Sequence, residues 1–193
     1  MDFKYSDISL LLICLVTSCS YVSPPSHIPE SQIPTELSID MQRTGCYGKC
    51  PVYTVSLQPS GKVIFDGRGF TKVIGKAEDV INDEKKEQLV AEITKADFFK
   101  LDDAYTQESG NCPESRTDNS TVTLSIRLND KSKTVVHYLG CLRVRERDKN
   151  NTSDLPVTKE TDWKSDMYPQ NLYVLENKID EIVGTQRWTG KEN

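Results

Sequence analysis

The sequence carries no excess of positive charge. Its 193 residues include 24 lysines and arginines against 29 aspartates and glutamates, which leaves a formal net charge of −5. A protein that binds nucleic acid needs clustered lysine and arginine to neutralise the phosphates, so this composition argues against a nucleic-acid partner. The same balance gives no support to membrane attachment through a basic surface.

Histidine is also scarce, and this limits the chemistry that the chain can perform. Of the two histidines, His27 lies in a proline-rich stretch, where we expect a solvated side chain. A hydrolase needs a nucleophile with a base beside it, and with His137 alone no such set converges. A zinc site needs a second close pair of cysteines or histidines, which is missing. We therefore expect no catalytic residues and no zinc.

No apolar run is long enough to cross a membrane. The longest N-terminal run, Ile8 to Val16, spans nine residues, whereas a membrane-spanning helix needs about 20. This length fits an export signal. The order Val16-Thr17-Ser18-Cys19 resembles the bacterial lipobox, in which the cysteine is lipidated and becomes the mature N-terminus. We therefore predict a lipoprotein signal peptide at residues 1–18 and a lipidated Cys19.

The lipobox resemblance also implies a location. Ser20, and not an aspartate, follows Cys19, which in proteobacterial lipoproteins favours the outer membrane, facing the periplasm. Residues 19–36 hold four prolines, and proline neither donates to a sheet ladder nor allows helix in the residue before it. We expect this stretch to be an extended tether. Residues 37–190 are then the right length for a single domain.

Four cysteines remain in that domain: Cys46, Cys50, Cys112 and Cys141. An even number in an exported chain suggests disulfides, and four cysteines allow three pairings. Proximity favours Cys46–Cys50, which leaves Cys112–Cys141. In the chain-entropy model a five-residue loop stabilises by about 2 kcal/mol and a 30-residue loop by about 3.5 kcal/mol. The second bond would therefore be the stabiliser, and the first a local clamp.

The hydrophobic pattern predicts an α+β domain: an antiparallel sheet built from two hairpins plus an N-terminal strand, with two helices packed on it. Period-two or β-branched patterns predict strands at residues 37–42, 52–58, 62–66, 121–128 and 133–139, and a further short strand at 70–74, ended by Gly75. Apolar stripes with a period near 3.6 predict helices at about 82–96, capped by Asn82, and about 169–184.

The pair Cys46 and Cys50 permits a copper alternative. The spacing and the following Pro51 resemble the motif of the Sco-type copper chaperones, where two thiolates and a distant histidine bind the metal, and thiolates suit Cu(I). His137 would be the third ligand. Against this, Cys50 runs into a strand pattern, whereas redox cysteines usually sit near a helix start, which lowers the thiol pKa. Copper binding or thiol-redox chemistry stays open as the alternative.

A wider set of residues resembles a known family. The opening Arg-x-x-Cys-x-Gly-x-Cys-Pro-x-Tyr resembles that of a family of bacterial domains of unknown function (family 6438), often found in lipoproteins. The set comprises Arg43, Cys46, Gly48, Cys50, Pro51, Tyr53, Gly61, Phe65, Gly67, Phe98, Leu101, Tyr105, Asp118, Ile179, Asp180 and Trp188. The resemblance implies no activity.

Taken together, these features favour a membrane-anchored lipoprotein of the cell envelope. We expect its domain to work as a binding or interaction module rather than as an enzyme, with an envelope protein or another ligand as its partner.

Overall fold

The computed structural model describes residues 36–144 and 163–190, and its main feature is an antiparallel sheet with helices against one face. The strands are β1 (Ser38–Arg43), β2 (Val52–Leu57), β3 (Lys62–Gly69), β4 (Gly75–Val80), β5 (Ala104–Tyr105), β6 (Glu114–Ser115), β7 (Thr121–Leu128), β8 (Lys131–Tyr138) and β9 (Cys141–Leu142). The α-helices are α1 (Asp83–Lys95), α2 (Gln170–Val183) and α3 (Gln186–Thr189), and 3-10 turns cover Phe98–Lys100 and Trp163–Asp166.

Seven strands form the sheet in the order β4-β3-β2-β1-β7-β8-β5. The N-terminal strand β1 lies at its centre, between β2 and β7, with Met41 opposite both Val55 and Leu124. The two predicted hairpins are present as β2–β3 and β7–β8, and they lie on either side of β1. Every neighbouring pair in this sheet is antiparallel except β5 with β8, which is parallel. Strands β6 and β9 form a separate short pair.

One face of the sheet is buried because side chains alternate along each strand. In β2, for example, Tyr53, Val55 and Leu57 are buried while Thr54 and Ser56 are partly exposed. Apolar residues of α1 and α2 belong to the same core as the strand residues. The prediction of an α+β fold with two helices packed on an antiparallel sheet is confirmed.

The helix boundaries also follow from the local sequence. Asn82 precedes α1, and its side chain accepts a hydrogen bond of 3.1 Å from the backbone N–H of Lys85, which is the predicted cap. Gly184, with φ of 76°, ends α2 in the left-handed region that glycine adopts readily. This sharp end places Thr185 directly after the helix.

The predicted strand at residues 70–74 is wrong. These residues form a turn, and the strand β4 begins only at Gly75. Phe70 has a φ of 51°, which a strand does not allow. The backbone N–H groups of Lys72 and Val73 bond to the carbonyls of Thr189 and Trp188, so the turn is held by the C-terminal segment.

The described residues contain no helix that is long and apolar enough to cross a membrane. The predicted signal peptide, Cys19 and the tether up to residue 35 lie outside the described residues.

Candidate binding site

Cys46 and Cys50 form a disulfide, with their Cα atoms 5.6 Å apart. The bend between them passes through Gly48, whose φ of 142° is one that residues with a side chain rarely adopt. Two backbone bonds of 3.0 Å attach the loop to β7 and to the segment before it: Thr44 N–H donates to the carbonyl of Thr121, the first residue of β7, and Tyr47 N–H donates to the carbonyl of Asp118. The loop is therefore held at both its entry and its middle.

Cys112 and Cys141 form the second disulfide, with their Cα atoms 5.1 Å apart. Cys141 is fully buried, whereas Cys112 is partly exposed. The structure thus contains the same two pairings that sequence proximity favours.

His137 does not lie with the paired cysteines as a third copper ligand. It is fully buried in β8, where Nδ1 lies 2.9 Å from Oε1 of Glu176 and Nε2 lies 3.2 Å from the carbonyl oxygen of Tyr168. A carbonyl only accepts, so Nε2 carries a hydrogen, and neither ring nitrogen is left for a metal. Among the described residues no three histidine, cysteine, aspartate or glutamate side chains are grouped for metal binding.

We expect the purified chain to take up no Cu(I) at Cys46 and Cys50, because disulfide sulfurs are not thiolates. Intact mass under non-reducing conditions, with and without Cu(I), measures this. Reduction should raise the mass by two hydrogen atoms per disulfide. The unreduced chain should show no added mass of copper. A copper adduct on the unreduced chain that is lost in His137→Gln would contradict the disulfide assignment and restore the copper alternative.

A pocket of about 260 Å³ opens beside the Cys46–Cys50 loop, and we call it the disulfide pocket. Its two charged residues among those described are Arg43 and Asp180. The uncharged polar residues that line it are Tyr53, Asn119, Ser120, Asn177, Thr185, Gln186 and Thr189. The more apolar lining residues are Cys50, Pro51, Leu139, Met167 and Tyr173. The pocket therefore combines these polar groups with a larger apolar surface, and its two formal charges balance each other.

Arg43 and Asp180 join the end of β1 to α2. Arg43 Nε donates a hydrogen bond of 2.9 Å to Oδ2 of Asp180, and Nη2 lies 2.8 Å from the same oxygen. The other carboxylate oxygen, Oδ1, accepts from the Tyr53 hydroxyl at 2.8 Å and from the Thr185 hydroxyl at 2.9 Å. The two side chains are only 12% and 14% exposed. Asp180 is thus saturated with donors in a largely dry environment.

This network keeps Arg43 and Tyr53 each in one protonation state. Burial by itself lowers the pKa of Arg43, but the negative charge of Asp180 outweighs it and the pKa lies above its usual value. Burial raises the pKa of Tyr53, and the charge of Asp180 raises it further. Arg43 therefore stays charged and the Tyr53 hydroxyl stays a hydrogen-bond donor, which suits a fixed binding surface better than proton transfer.

An aromatic stack supports the network from the sheet side. The ring of Phe65 lies 5.3 Å from that of Tyr53 and 5.1 Å from that of Trp188. All three are buried. Because Trp188 belongs to α3, the stack fixes the C-terminal segment against β2 and β3 and holds the tyrosine hydroxyl towards Asp180.

The structure brings a good part of the resemblance set to this one place. Arg43, Cys50, Pro51, Tyr53 and Asp180 line the disulfide pocket. Phe65 and Trp188 lie in the stack next to Tyr53.

Other members of the set have structural roles elsewhere. Gly61 has a φ of 85°, and a Cβ there would lie 2.5 Å from the carbonyl oxygen of Ile81. The hydroxyl of Tyr105 accepts from the backbone N–H of Asp102 at 3.0 Å. These residues shape the turn before β3 and the approach to β5.

Sequence reasoning missed the polar walls of the pocket, chiefly Asn119, Asn177 and Thr185. It also missed that Asp180 pairs with Arg43 and that Glu176 pairs with His137. One feature of the sequence could have predicted these two pairs. Glu176 and Asp180 lie four residues apart along α2, next to its apolar stripe, and a carboxylate in such a position needs a buried partner.

Comparison with known proteins identifies a family but no activity. The model of the family described as Domain of unknown function (DUF6438) matches residues 37–153. No curated protein matches the chain significantly. The family match covers the sheet and α1, and it ends before α2, so Ile179, Asp180 and Trp188 of the resemblance set lie outside it.

Proposed function

The chain belongs to this family of domains of unknown function, and we propose that it is a lipid-anchored binding protein of the bacterial cell envelope. In this proposal the lipid on Cys19 holds the chain at the outer membrane, facing the periplasm, and residues 19–36 are the tether. The disulfide pocket is the binding site, and its partner is an envelope component.

The observation that carries the binding role is the convergence on one pocket. Arg43, Cys50, Pro51 and Tyr53 lie within the part of the chain that the family model matches, and all four line the same cavity. Residues that serve only packing have no reason to share a solvent-facing concave surface. A concave site with fixed polar groups and a partly apolar floor is the form that ligand sites usually take.

Rigidity adds support to a binding role. The disulfide fixes Cys50, the backbone bonds to Thr121 and Asp118 hold the loop that contains it, and the aromatic stack packs against Tyr53. A site that is ordered before binding loses less conformational entropy when a ligand arrives. Tyr47, 90% exposed in the disulfide loop, offers a large side chain to solvent.

Anchoring is tested by acylation of Cys19. We expect metabolic labelling with a clickable palmitate analogue to mark the chain in the membrane fraction, and the Cys19→Ser variant to lose the label completely. Cys14→Ser is the matched control, because Cys14 lies inside the apolar run five residues earlier, and it should keep the label. Label retained in Cys19→Ser, or lost equally in both variants, would contradict the lipoprotein assignment.

Binding at the pocket is tested with a mixed library of uncharged and charged fragments. Saturation-transfer NMR on the intact chain should find fragments that bind, and Asn177→Trp should abolish their signals because the indole fills the pocket. Asn171→Trp is the matched control. Asn171 and Asn177 are both exposed on α2, and each donates 2.7 Å from Nδ2 to a backbone carbonyl, but Asn171 lines a different cavity.

Two results would overturn the binding role of this pocket. One is a screen in which no fragment binds the intact chain. The other is a set of fragments whose signals survive Asn177→Trp and disappear in Asn171→Trp, which would move the binding site to the cavity between α1 and α2.

A further inference from the structure

The charges of the disulfide pocket are already used within the protein. Asp180 accepts hydrogen bonds from Arg43, Tyr53 and Thr185, so its oxygens have no strong need for a cationic ligand. Arg43 is neutralised by Asp180, and the carboxyl group of Glu176 is near enough to act on its charge. A carboxylate or phosphate ligand at Arg43 would therefore be repelled by the negative charge of Asp180, which already pairs with the guanidinium.

A charged ligand consequently has little to gain here. It would have to leave water to enter the pocket, and the cost of removing a charge from water is repaid only by a close opposite charge. Among the described residues the pocket offers no charged side chain besides the Arg43–Asp180 pair. The electrostatics therefore select against both anions and cations.

The groups that remain for a ligand are amide and hydroxyl groups. Asn177 and Asn119 donate from Nδ2 to backbone carbonyls, and among the described residues their Oδ1 atoms have no hydrogen-bond donor. Arg43 uses Nε on Asp180, and its buried Nη2, although it lies 2.8 Å from the same carboxylate oxygen, has no hydrogen-bond partner among the described residues. These are two acceptors and one donor from residues that line one small space.

The size and the floor of the pocket narrow the ligand further. About 260 Å³ is below the roughly 300–1,000 Å³ of pockets for drug-sized molecules, so the ligand is about one ring in size. Leu139, Met167 and Tyr173 add apolar surface to the lining. A sugar ring has polar groups all around its edge and an apolar C–H face, whereas a capped amino acid has two amides and one side chain.

We propose that the disulfide pocket binds a single uncharged sugar residue, with hydroxyl or amide groups of the sugar bonded to Asn119, Asn177 and Arg43. This inference rests on the proposed function, since it names the ligand class of the same site. It requires that the pocket bind a neutral sugar more tightly than a sugar of the same ring type that carries a positive or a negative charge.

Three sugars of one ring type test this preference on the intact chain. N-acetylglucosamine is neutral, glucosamine is a cation and glucuronate is an anion. Saturation-transfer titrations should show binding of N-acetylglucosamine, and the affinities for the two charged sugars should be at least about tenfold weaker. A tenfold difference in affinity corresponds to a difference in binding free energy of about 1.4 kcal/mol. N-acetylalanine methylamide, which is neutral but not a sugar, should also bind at least about tenfold more weakly.

Two variants locate the site. Asn177→Leu removes an acceptor from the pocket and should weaken binding of N-acetylglucosamine by about tenfold, as expected when a buried polar contact of the ligand loses its partner. Asn171→Leu removes the same side chain from the same helix outside the pocket and should leave the affinity unchanged. Thermal unfolding of both variants, with similar midpoints, shows that the difference is local.

The outcomes separate the ligand class from the binding function. Equal or tighter binding of glucuronate, glucosamine or the capped amino acid, still weakened by Asn177→Leu, would overturn the sugar proposal and leave the pocket as a binding site. If Asn177→Leu leaves the affinity for N-acetylglucosamine unchanged, the proposal that the sugar binds in the disulfide pocket is overturned. If no sugar binds while library fragments bind and are blocked by Asn177→Trp, the sugar proposal fails and the proposed function stands.

Discussion

Replacing Asp180 by alanine should lower the free energy of unfolding by about 3–5 kcal/mol, the cost of leaving one partner of a buried ion pair behind. The substitution leaves the Arg43 guanidinium, whose side chain is 12% exposed, without its counter-charge. It also removes the acceptor of the Tyr53 and Thr185 hydroxyl groups. Urea unfolding of both chains, followed by tryptophan fluorescence, measures the difference because Trp188 lies in the adjacent stack.

The surface pair of Arg187 and Asp79 provides the control for this effect. Their side chains are 44% and 39% exposed, and an ion pair at that exposure contributes about 0–1 kcal/mol. Asp79→Ala should therefore lower the free energy of unfolding far less than Asp180→Ala does. A similar small loss in both variants would show that Arg43 regains water when Asp180 is removed, contrary to the burial described above.

A double variant separates the charge from the packing. Arg43→Met with Asp180→Leu removes both charges and fills a similar volume, so it should be more stable than Asp180→Ala alone. The Tyr53 and Thr185 hydroxyl groups still lose their acceptor in the double variant. Whatever destabilisation remains measures those two hydrogen bonds and the repacking, and not the unpaired guanidinium.

The strands that sequence reasoning found are those with one face on the core. In β7, Val122, Leu124 and Ile126 are buried and alternate with more polar residues, and this period is visible in the sequence. Strand β4 escaped because it is an edge strand whose side chains are charged or small, so no apolar period marks it. The apolar residues just before it, Val73 and Ile74, suggested a strand where the chain makes a turn.

Strand β5 escaped for a different reason. It consists of Ala104 and Tyr105 alone, and it becomes a strand only through its parallel pairing with Val136 and His137 of β8. Pairing between segments about 30 residues apart is a property of the tertiary fold. Neither residue carries a local signal for it, so a single sequence does not predict it.

The same distinction between local and long-range contacts applies to the candidate site. Arg43, Cys50 and Tyr53 are near one another in the chain, and their shared role in one loop and strand start could be suspected from the sequence. Asp180 lies 137 residues from Arg43, and only the packing of α2 on the sheet brings the two together. His137 shows the limit most clearly, because copper ligand and buried strand residue were both compatible with the sequence, and the position of Glu176 decides between them.

Removing the Cys112–Cys141 bond should destabilise the chain by about 3.5 kcal/mol, against about 2 kcal/mol for the Cys46–Cys50 bond. The sequence separations of 29 and 4 residues cause this difference, because the longer loop restricts the unfolded chain more. Each bond is removed as a pair of alanines, Cys112→Ala with Cys141→Ala and Cys46→Ala with Cys50→Ala, so that no free thiol remains. Urea unfolding of the two double variants gives the comparison.

For the affinity of a pocket ligand we expect the opposite order: removing the Cys46–Cys50 bond should weaken binding more than removing the Cys112–Cys141 bond. Cys50 and Pro51 line the disulfide pocket, so opening the Cys46–Cys50 loop releases one wall of it. Cys112 and Cys141 do not line the pocket, and their removal should leave the affinity of a pocket ligand unchanged as long as the chain is folded. A variant lacking Cys46–Cys50 that is the less stable of the two, yet binds ligands normally, would contradict both the loop-closure argument and the role of this loop in the site.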